Sequence, residues 1–323
     1  GGLLLEKTGT DGVRQVHEYD EKGRLKTVDD QDLGIELVYD AFSRLDHRIT
    51  RTPDGRSVIQ RVVYDALGRV SEQIWEHIDP AGTRKSRLAL SWRADDKVTE
   101  RRWYGDDDAT PLREETMDYD DRGRLILHAI TAASGEHPVD EARQPYVRQT
   151  FEHDCLDNLL IVTTTLLDGR VNITRYAYDP VDIDRLASVS NSLDGYPGFG
   201  TPLTLAYDAN GNLIDDGQGR KLLWDGAGRL SLVTLADGKE IAYVHGPDGR
   251  VSSVTRDLVS TYRYREDGAI AFEVDTNEGR RFIRAKGGVV AETRLAGTIR
   301  EIFLLGTDPQ GSVVTESVPE PRT

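Results

Sequence analysis

One seven-residue phrase recurs along this chain: an aromatic residue, Asp, two free positions, Gly, a basic residue and an aliphatic one. The plainest copies are Tyr19-Asp20-Glu21-Lys22-Gly23-Arg24-Leu25, Tyr64-Asp65-Ala66-Leu67-Gly68-Arg69-Val70, Tyr119-Asp120-Asp121-Arg122-Gly123-Arg124-Leu125 and Tyr207-Asp208-Ala209-Asn210-Gly211-Asn212-Leu213. Looser copies begin at Tyr39 (Ser43 in the Gly slot), Trp92, His153, Tyr178 (one residue too long), Trp224, His245 and Tyr264, the last three carrying Gly228, Gly249 and Gly268. The eleven starts are separated by 17 to 34 residues. Recurrence on this scale describes an architecture rather than one active site, and the loose period is unlike that of a helical solenoid.

Each phrase reads as a turn. Asp favours the first position of a type I turn, where its side chain caps the backbone two residues on. Gly three residues later supplies the positive φ that a type I turn with a G1 bulge requires. Asp then faces the basic residue across a hairpin, and the aromatic faces the aliphatic, each pair stabilising by roughly 0.2–1 kcal/mol. Alternation places the aromatic–aliphatic pairs on one face of the sheet and the charged pairs on the other. A second signal alternates with the first at Asp11-Gly12, Asp54-Gly55, Asp168-Gly169 and Asp237-Gly238. Asp-Gly between alternating apolar residues marks a hairpin. The runs between turns, such as Arg61-Val62-Val63-Tyr64 and Glu240-Ile241-Ala242-Tyr243-Val244, alternate and are rich in β-branched residues. The expectation is an all-β fold, an unbroken meander of short antiparallel strands with no helix. Residues 105–116, 135–145 and 192–202 read as longer loops or insertions.

A chain of 323 residues ordinarily suggests about two domains. Stacked repeats favour one continuous body instead. Apolar residues make up 37% and charged residues 30%, which suits an extended sheet whose faces are both partly polar. The net charge of −15, without a basic stripe, lacks the footprint that nucleic-acid binding needs. Cys155 is the only cysteine, so no intrachain disulfide forms. No apolar run approaches the ~20 residues of a membrane span. Gly1-Gly2-Leu3-Leu4-Leu5-Glu6 is too short for a signal peptide. Met117 is the only methionine, and both ends read as cuts in a longer polypeptide.

Candidate sites read more simply as structure. The repeat aspartates beside Gly cap turns rather than forming catalytic carboxylate pairs. Asp208 to Asp216 faintly resembles a calcium loop, but its Gly stands at position four where position six is needed. Asp179, Asp182 and Asp184 read as a solvated turn, and Asp106-Asp107-Asp108 as a hydrated loop. Gly195, Gly198 and Gly200 do not open a helix, so they make no phosphate cradle. His153 and His245 occupy the aromatic slot and pack, leaving no zinc ligand set. Cys155 reads as a buried or idle thiol. Trp75, Trp92, Trp103 and Trp224 fit cross-strand packing better than a sugar-binding face. No catalytic residue, metal or cofactor is assigned; the positions expected to carry the fold are Tyr19, Tyr39, Tyr64, Tyr119, Tyr178, Tyr207 and Tyr264, with Gly23, Gly68, Gly123, Gly211, Gly228, Gly249 and Gly268.

The Tyr-Asp-x-x-Gly-Arg-Leu units resemble the YD repeats of Rhs proteins and of the C component of insecticidal toxin complexes, over roughly residues 10–315. Phe303-Leu304-Leu305-Gly306-Thr307-Asp308-Pro309-Gln310-Gly311-Ser312-Val313-Val314 is similar to the phrase that opens the family's Rhs-associated core. The resemblance implies residues 1–300 as a shell segment and 301–323 as the truncated start of that core. It implies a β-sheet spiralling into a hollow cocoon around a C-terminal toxin domain. The implied partners are the other fragments of the same polypeptide, that toxin, and a type VI secretion or toxin-injection machine. The implied location is the bacterial cytoplasm before export, then secretion or delivery to a target cell. The family's aspartyl autoprotease segment lies beyond the opening phrase and is missing here, so Asp308 is not assigned as catalytic and no enzyme activity is expected. Two other readings stay open: a surface module that contacts glycans or a protein, and a β-propeller hydrolase. Irregular spacing without a four-strand period argues against the second.

Overall fold

A computed structural model describes residues 3–9, 12–107, 109–133, 135–286 and 288–317. Asp11, Asp108 and the segment after Ser317 lie outside the described residues, as do Gly1 and Gly2. The described residues form 28 strands and no helix. Sixteen strands, from Glu6–Thr8 to Leu203–Thr204, make one sheet in sequence order, and twelve, from Ala206–Tyr207 to Val313–Ser317, make a second. The resolved strand pairs are antiparallel and join sequence neighbours.

The meander is therefore not unbroken. It stops after Thr204, directly behind the Gly- and Pro-rich stretch 192–202, and restarts at Ala206. Among the described residues the strands form sheets of sixteen and twelve rather than four-stranded blades, which sets the propeller reading aside. Residues 105–116 are less irregular than their charge suggests, because Arg113–Tyr119 is a strand paired with Leu125–Ala132. Its inward residues are Glu115 and Met117, and arginines beside Glu115 make that burial tolerable. The boundary expected at 300/301 falls inside the strand Ile299–Thr307, which pairs with Gly288–Ala296.

The chain divides into two compact units: Gly1–Ala89 with Trp103–Thr110 and Val259–Thr323, and Leu90–Arg102 with Pro111–Leu258. In the first, alternate residues of neighbouring strands build the core. Val28, Leu33, Ile35, Leu37, Leu45, Val58 and Val62 pack with Ile283, Val290, Ala291 and Leu304. Leu25, Tyr39, Tyr64 and Val70, all repeat residues, lie against it. The second unit has a smaller apolar cluster, Ile130, Tyr146 and Leu166, with Ala132 and Leu193 beside it. Much of its buried surface is polar: Asn172 donates to Asn191 Oδ1 at 2.7 Å and to Thr174 Oγ1 at 3.2 Å.

Trp75, on Val70–Asp79, is the largest fully buried side chain among the described residues. It lies against Gly306. A methyl group on Gly306 would fall 2.5 Å from Trp75 Cδ1 and closer still to Thr315 Cγ2. A side chain there would force Trp75 or Thr315 to shift. Gly306→Ala should lower stability by about 2 kcal/mol through overpacking. Chemical denaturation checks this, and an unchanged midpoint would refute the contact.

Candidate functional site

The repeat turn is the recurring constellation, and its geometry follows from one carboxylate. In the first copy Asp20 Oδ1 accepts the amides of Lys22 and Arg24, both at 2.9 Å. Asp20 Oδ2 accepts Arg24 Nε at 2.6 Å. The backbone closes twice, from Asp20 N to Arg24 O and from Gly23 N to Asp20 O, each 2.9 Å. Tyr19 then faces Leu25 across a register shift, which is the G1 bulge. The Arg24 amide above all, opposed by burial and aided by the guanidinium, holds the Asp20 carboxyl below the usual range. Asp120 and Asp225 are lowered in the same way by the amides of Arg124 and Arg229. Asp40 and Asp65 repeat the contacts with Arg44 and Arg69. Asn158 and Asn212 replace the guanidinium with an amide bonded to Asp154 and Asp208.

The fifth position has left-handed backbone at Gly23, Gly68, Gly123, Gly211, Gly228 and Gly249, with φ from +71° to +85°. Ser43, Asp96 and Asp157 take φ of 63° to 71° in the same slot. The copy at Tyr264 differs. Arg265 stands in the Asp slot, as Arg93 and Gly246 do in the copies at Trp92 and His245, but those two close the five-residue turn and this one does not. Asp267 (φ 49°) and Gly268 (φ 81°) instead make a two-residue hairpin, and Tyr264 faces Phe272 rather than Ile270.

Consecutive units are also fastened to each other, which the spacing of the phrase did not reveal. In six units the aromatic reaches back to the carbonyl of the preceding unit's aliphatic residue. Tyr39 donates to Leu25 O at 2.7 Å and Tyr64 to Leu45 O at 3.0 Å. Tyr119 does so to Val98 O at 2.7 Å, Tyr178 to Leu159 O at 3.0 Å and Tyr207 to Leu186 O at 2.6 Å. Trp224 uses Nε1 on Leu213 O at 2.7 Å, and Tyr19 reaches Leu4 O at 2.8 Å. The basic residue of one unit lies over the next ring: Arg24 at 4.5 Å from Tyr39 and Arg44 at 4.2 Å from Tyr64. The charged and aromatic positions are thus not segregated to opposite faces. The guanidinium that grips its own Asp also covers the following aromatic, a cation–π contact.

The same turn occurs where no repeat was read. Asp140 accepts the amides of Ala142 and Gln144, and Arg143 supplies the left-handed residue at φ 58°. Asp216 accepts those of Gln218 and Arg220. Asp308 accepts those of Gln310 and Ser312, with Thr307 facing Val313. The alternate Asp-Gly turns close alike, from Thr52 N to Arg56 O, Leu166 N to Arg170 O and Leu235 N to Lys239 O, with Gly55, Gly169 and Gly238 left-handed.

Two buried clusters carry enough charge to be weighed for chemistry. In the first unit Arg281 bonds Asp30 through both Nη atoms and Asp32 Oδ2 at 2.9 Å. Arg300 and Thr293 also donate to Asp32 Oδ2, at 2.6 and 3.1 Å, and Gln15 to Asp30 Oδ2 at 2.7 Å. Burial works to raise the Asp30 pKa, but Arg281 outweighs it and leaves the carboxyl below its ordinary range. The two aspartates therefore share a guanidinium, not a proton, and are not an acid–base pair. In the second unit Glu115 Oε2 lies 3.0 Å from His128 Nε2, and His128 Nδ1 lies 3.5 Å from the Tyr146 hydroxyl. Burial, then the Glu115 charge, pushes the Tyr146 pKa up, the opposite of an activated nucleophile.

Among the described residues no three His, Cys, Asp or Glu side chains converge as metal ligands. The Asp208 carboxylate is already bound to two amides and Asn212. Asp179 Oδ1 accepts the amides of Val181 and Asp182, while Arg185 covers its other oxygen. Cys155 is exposed rather than buried, one residue into the Asp154 turn. Trp75 is buried; Trp92, Trp103 and Trp224 are half-buried. Among the described residues no helix is long and apolar enough to cross a membrane.

Tyr64→Phe removes the hydroxyl bond to Leu45 O and should cost about 1 kcal/mol in denaturant titrations. Tyr264→Phe is the control, because that hydroxyl makes no such bond among the described residues, and equal losses would refute the cross-unit role. Asp30→Asn should destabilise by about 3 kcal/mol at neutral pH by weakening a buried ion pair. The Asp30 pKa is lowered by folding, so its contribution is present above the ordinary carboxylate pKa and fades as pH falls through the folded value. The gap between variant and parent should therefore close in acid, and a gap constant with pH would refute the ionised pair.

No protein-family profile matches the chain, and no curated protein matches it. Its fold does match solved structures. It superposes on the crystal structure of TcdB2-TccC3-Cdc42 with a TM-score of 0.63 at 16% identity, over 95% of this chain and 17% of that one. For TcdB2-TccC3 the TM-score is 0.60 at 14% identity, over 95% and 18%. For TcdB2-TccC3 without its hypervariable C-terminal region the TM-score is 0.57 at 14% identity, over 95% and 17%. The chain thus spans less than a fifth of the chains it matches, and over nearly its whole length it has the fold of a part of these toxin-complex structures.

Proposed function

We propose that this chain is a wall segment of a β-shell that encloses a toxin domain before delivery, and that it performs no catalysis of its own. The observation that carries the reading is the strand order. Within each of the two sheets neighbours in sequence are neighbours in the sheet, and tyrosine hydroxyls lock several units to the one before. Such a wall has its backbone groups occupied by one another, so it offers a protease few extended segments to grip. The match to the TcdB2-TccC3 structures and the resemblance to YD repeats support the same reading.

The mechanism is exclusion. A toxin behind the wall is kept from proteases and from the producing cell's own targets until the shell opens at its destination. The partners are other parts of the same polypeptide, the enclosed toxin among them, and a type VI or toxin-complex delivery machine. Synthesis takes place in the bacterial cytoplasm, before export. Negative-stain electron microscopy of the polypeptide that carries this chain, paired with limited proteolysis, tests the proposal. A stain-filled lumen and a C-terminal region that resists protease until the shell is denatured are expected. Solid particles, or a C-terminal region cut at once, would overturn it.

A further inference from the structure

His77 sits on the strand Val70–Asp79, buried, on the same face as Gln73 and Trp75. Its Nε2 lies 2.9 Å from Thr315 Oγ1, on the strand Val313–Ser317. That strand and Ile299–Thr307 form a hairpin laid over the sheet. Three more contacts hold the hairpin there: Trp75 against Gly306, Gln60 Nε2 donating to Thr307 O at 2.9 Å, and Arg56 Nη1 donating to Ile302 O at 2.9 Å. His77 is the only ionisable side chain among these contacts whose charge changes near neutral pH.

His77 Nδ1 is buried with no hydrogen-bond partner. Neutral imidazole tolerates this, since Nε2–H can donate to Thr315 while Nδ1 stays a bare lone pair. The imidazolium cannot, because its second N–H would be buried without an acceptor. The facing groups offer little relief. Arg84, directly opposite on Gly82–Trp92, is a cation. Asp79, two residues along, bonds the Ala81 amide at 2.9 Å and lies 3.5 Å from Arg84. On the other neighbouring strand the facing residue is Val58, with Arg56 two positions before it bound to Asp54. On the hairpin Glu316 is exposed and lies 3.9 Å from Arg294.

We propose that His77 is an acid-sensitive latch: its protonation releases the hairpin Ile299–Ser317 from the strands Ser57–Tyr64 and Val70–Asp79. Burial, aided by Arg84, holds the closed-state pKa at about 4 against an ordinary 6.5. The closed state is therefore the poorer proton acceptor. Its advantage is complete above the ordinary value, falls about tenfold per pH unit through the interval, and levels off below the closed-state value. Across the whole interval the latch equilibrium shifts by about 300-fold. Carboxylates held below their ordinary range, such as Asp30 and Glu115, respond at more acid pH.

Hydrogen–deuterium exchange of the full chain between about pH 7.5 and pH 4.5, corrected for intrinsic rates, tests the latch against an ordinary imidazole. Peptides covering 299–317 should lose protection by up to about 100-fold across that range, while peptides covering 159–178 stay constant. His77→Gln should keep a donor for Thr315 and abolish the pH dependence. Thr315→Val should weaken protection at neutral pH and keep the acid dependence, which serves if the glutamine variant folds poorly. A parent hairpin indifferent to pH, or an acid response unchanged in His77→Gln, would overturn the proposal.

Discussion

A carboxylate fastened across a five-residue turn is the interaction on which this structure depends. Asp at the first position binds two backbone amides through one oxygen and the basic side chain through the other. It occupies the amides at the turn's third and fifth positions in most copies, while Arg93 and Gly246, in the same slot, close the backbone bonds without a carboxylate. Repetition makes the device architectural. Each turn reverses the chain into the next strand at a fixed register, and a one-residue slip would send the core face to solvent.

The units are coupled by the groups the turn puts within reach. A bulge takes backbone groups out of the regular ladder, and the following aromatic donates to a carbonyl there. The basic residue serves twice, gripping its own Asp and covering the next ring. This coupling fits a composition poor in apolar residues, because polar groups share the holding. The same economy extends inward, where Arg281, Asp30 and Asp32 join segments about 250 residues apart, with separations of 251 and 249. Such a cluster is costly to bury and costlier to break, so it fixes which strands meet more than it adds stability.

Legibility in the sequence tracked locality. The turns at Asp20, Asp65 and Asp120 were readable because every group that shapes them lies within seven residues. The turn at Asp140 was hidden, since Arg143 takes the left-handed slot, Val139 the aromatic one and Pro145 the aliphatic one. The turn at Asp308 has the same geometry, with Thr307 in the aromatic slot. The strand Arg113–Tyr119 looks like a charged loop in the sequence because Arg101, which helps neutralise Glu115 beside Arg113, comes from another strand. The hydroxyl staples span between 14 and 21 residues and follow from the bulge rather than from any local preference. The contacts of Trp75 and His77 with the hairpin at 299–317 have no local signature at all.

Residue-resolved amide exchange tests the central interaction most directly. The amides of Arg24, Arg44, Arg69, Arg124, Asn158, Asn212 and Arg229 each donate to an Asp oxygen. At neutral pH they should exchange far more slowly than amides of an open loop, and replacing the Asp of one turn with Ala should release that turn's amide alone. Exchange at loop rates in the parent protein, or protection that survives loss of the carboxylate, would contradict the account.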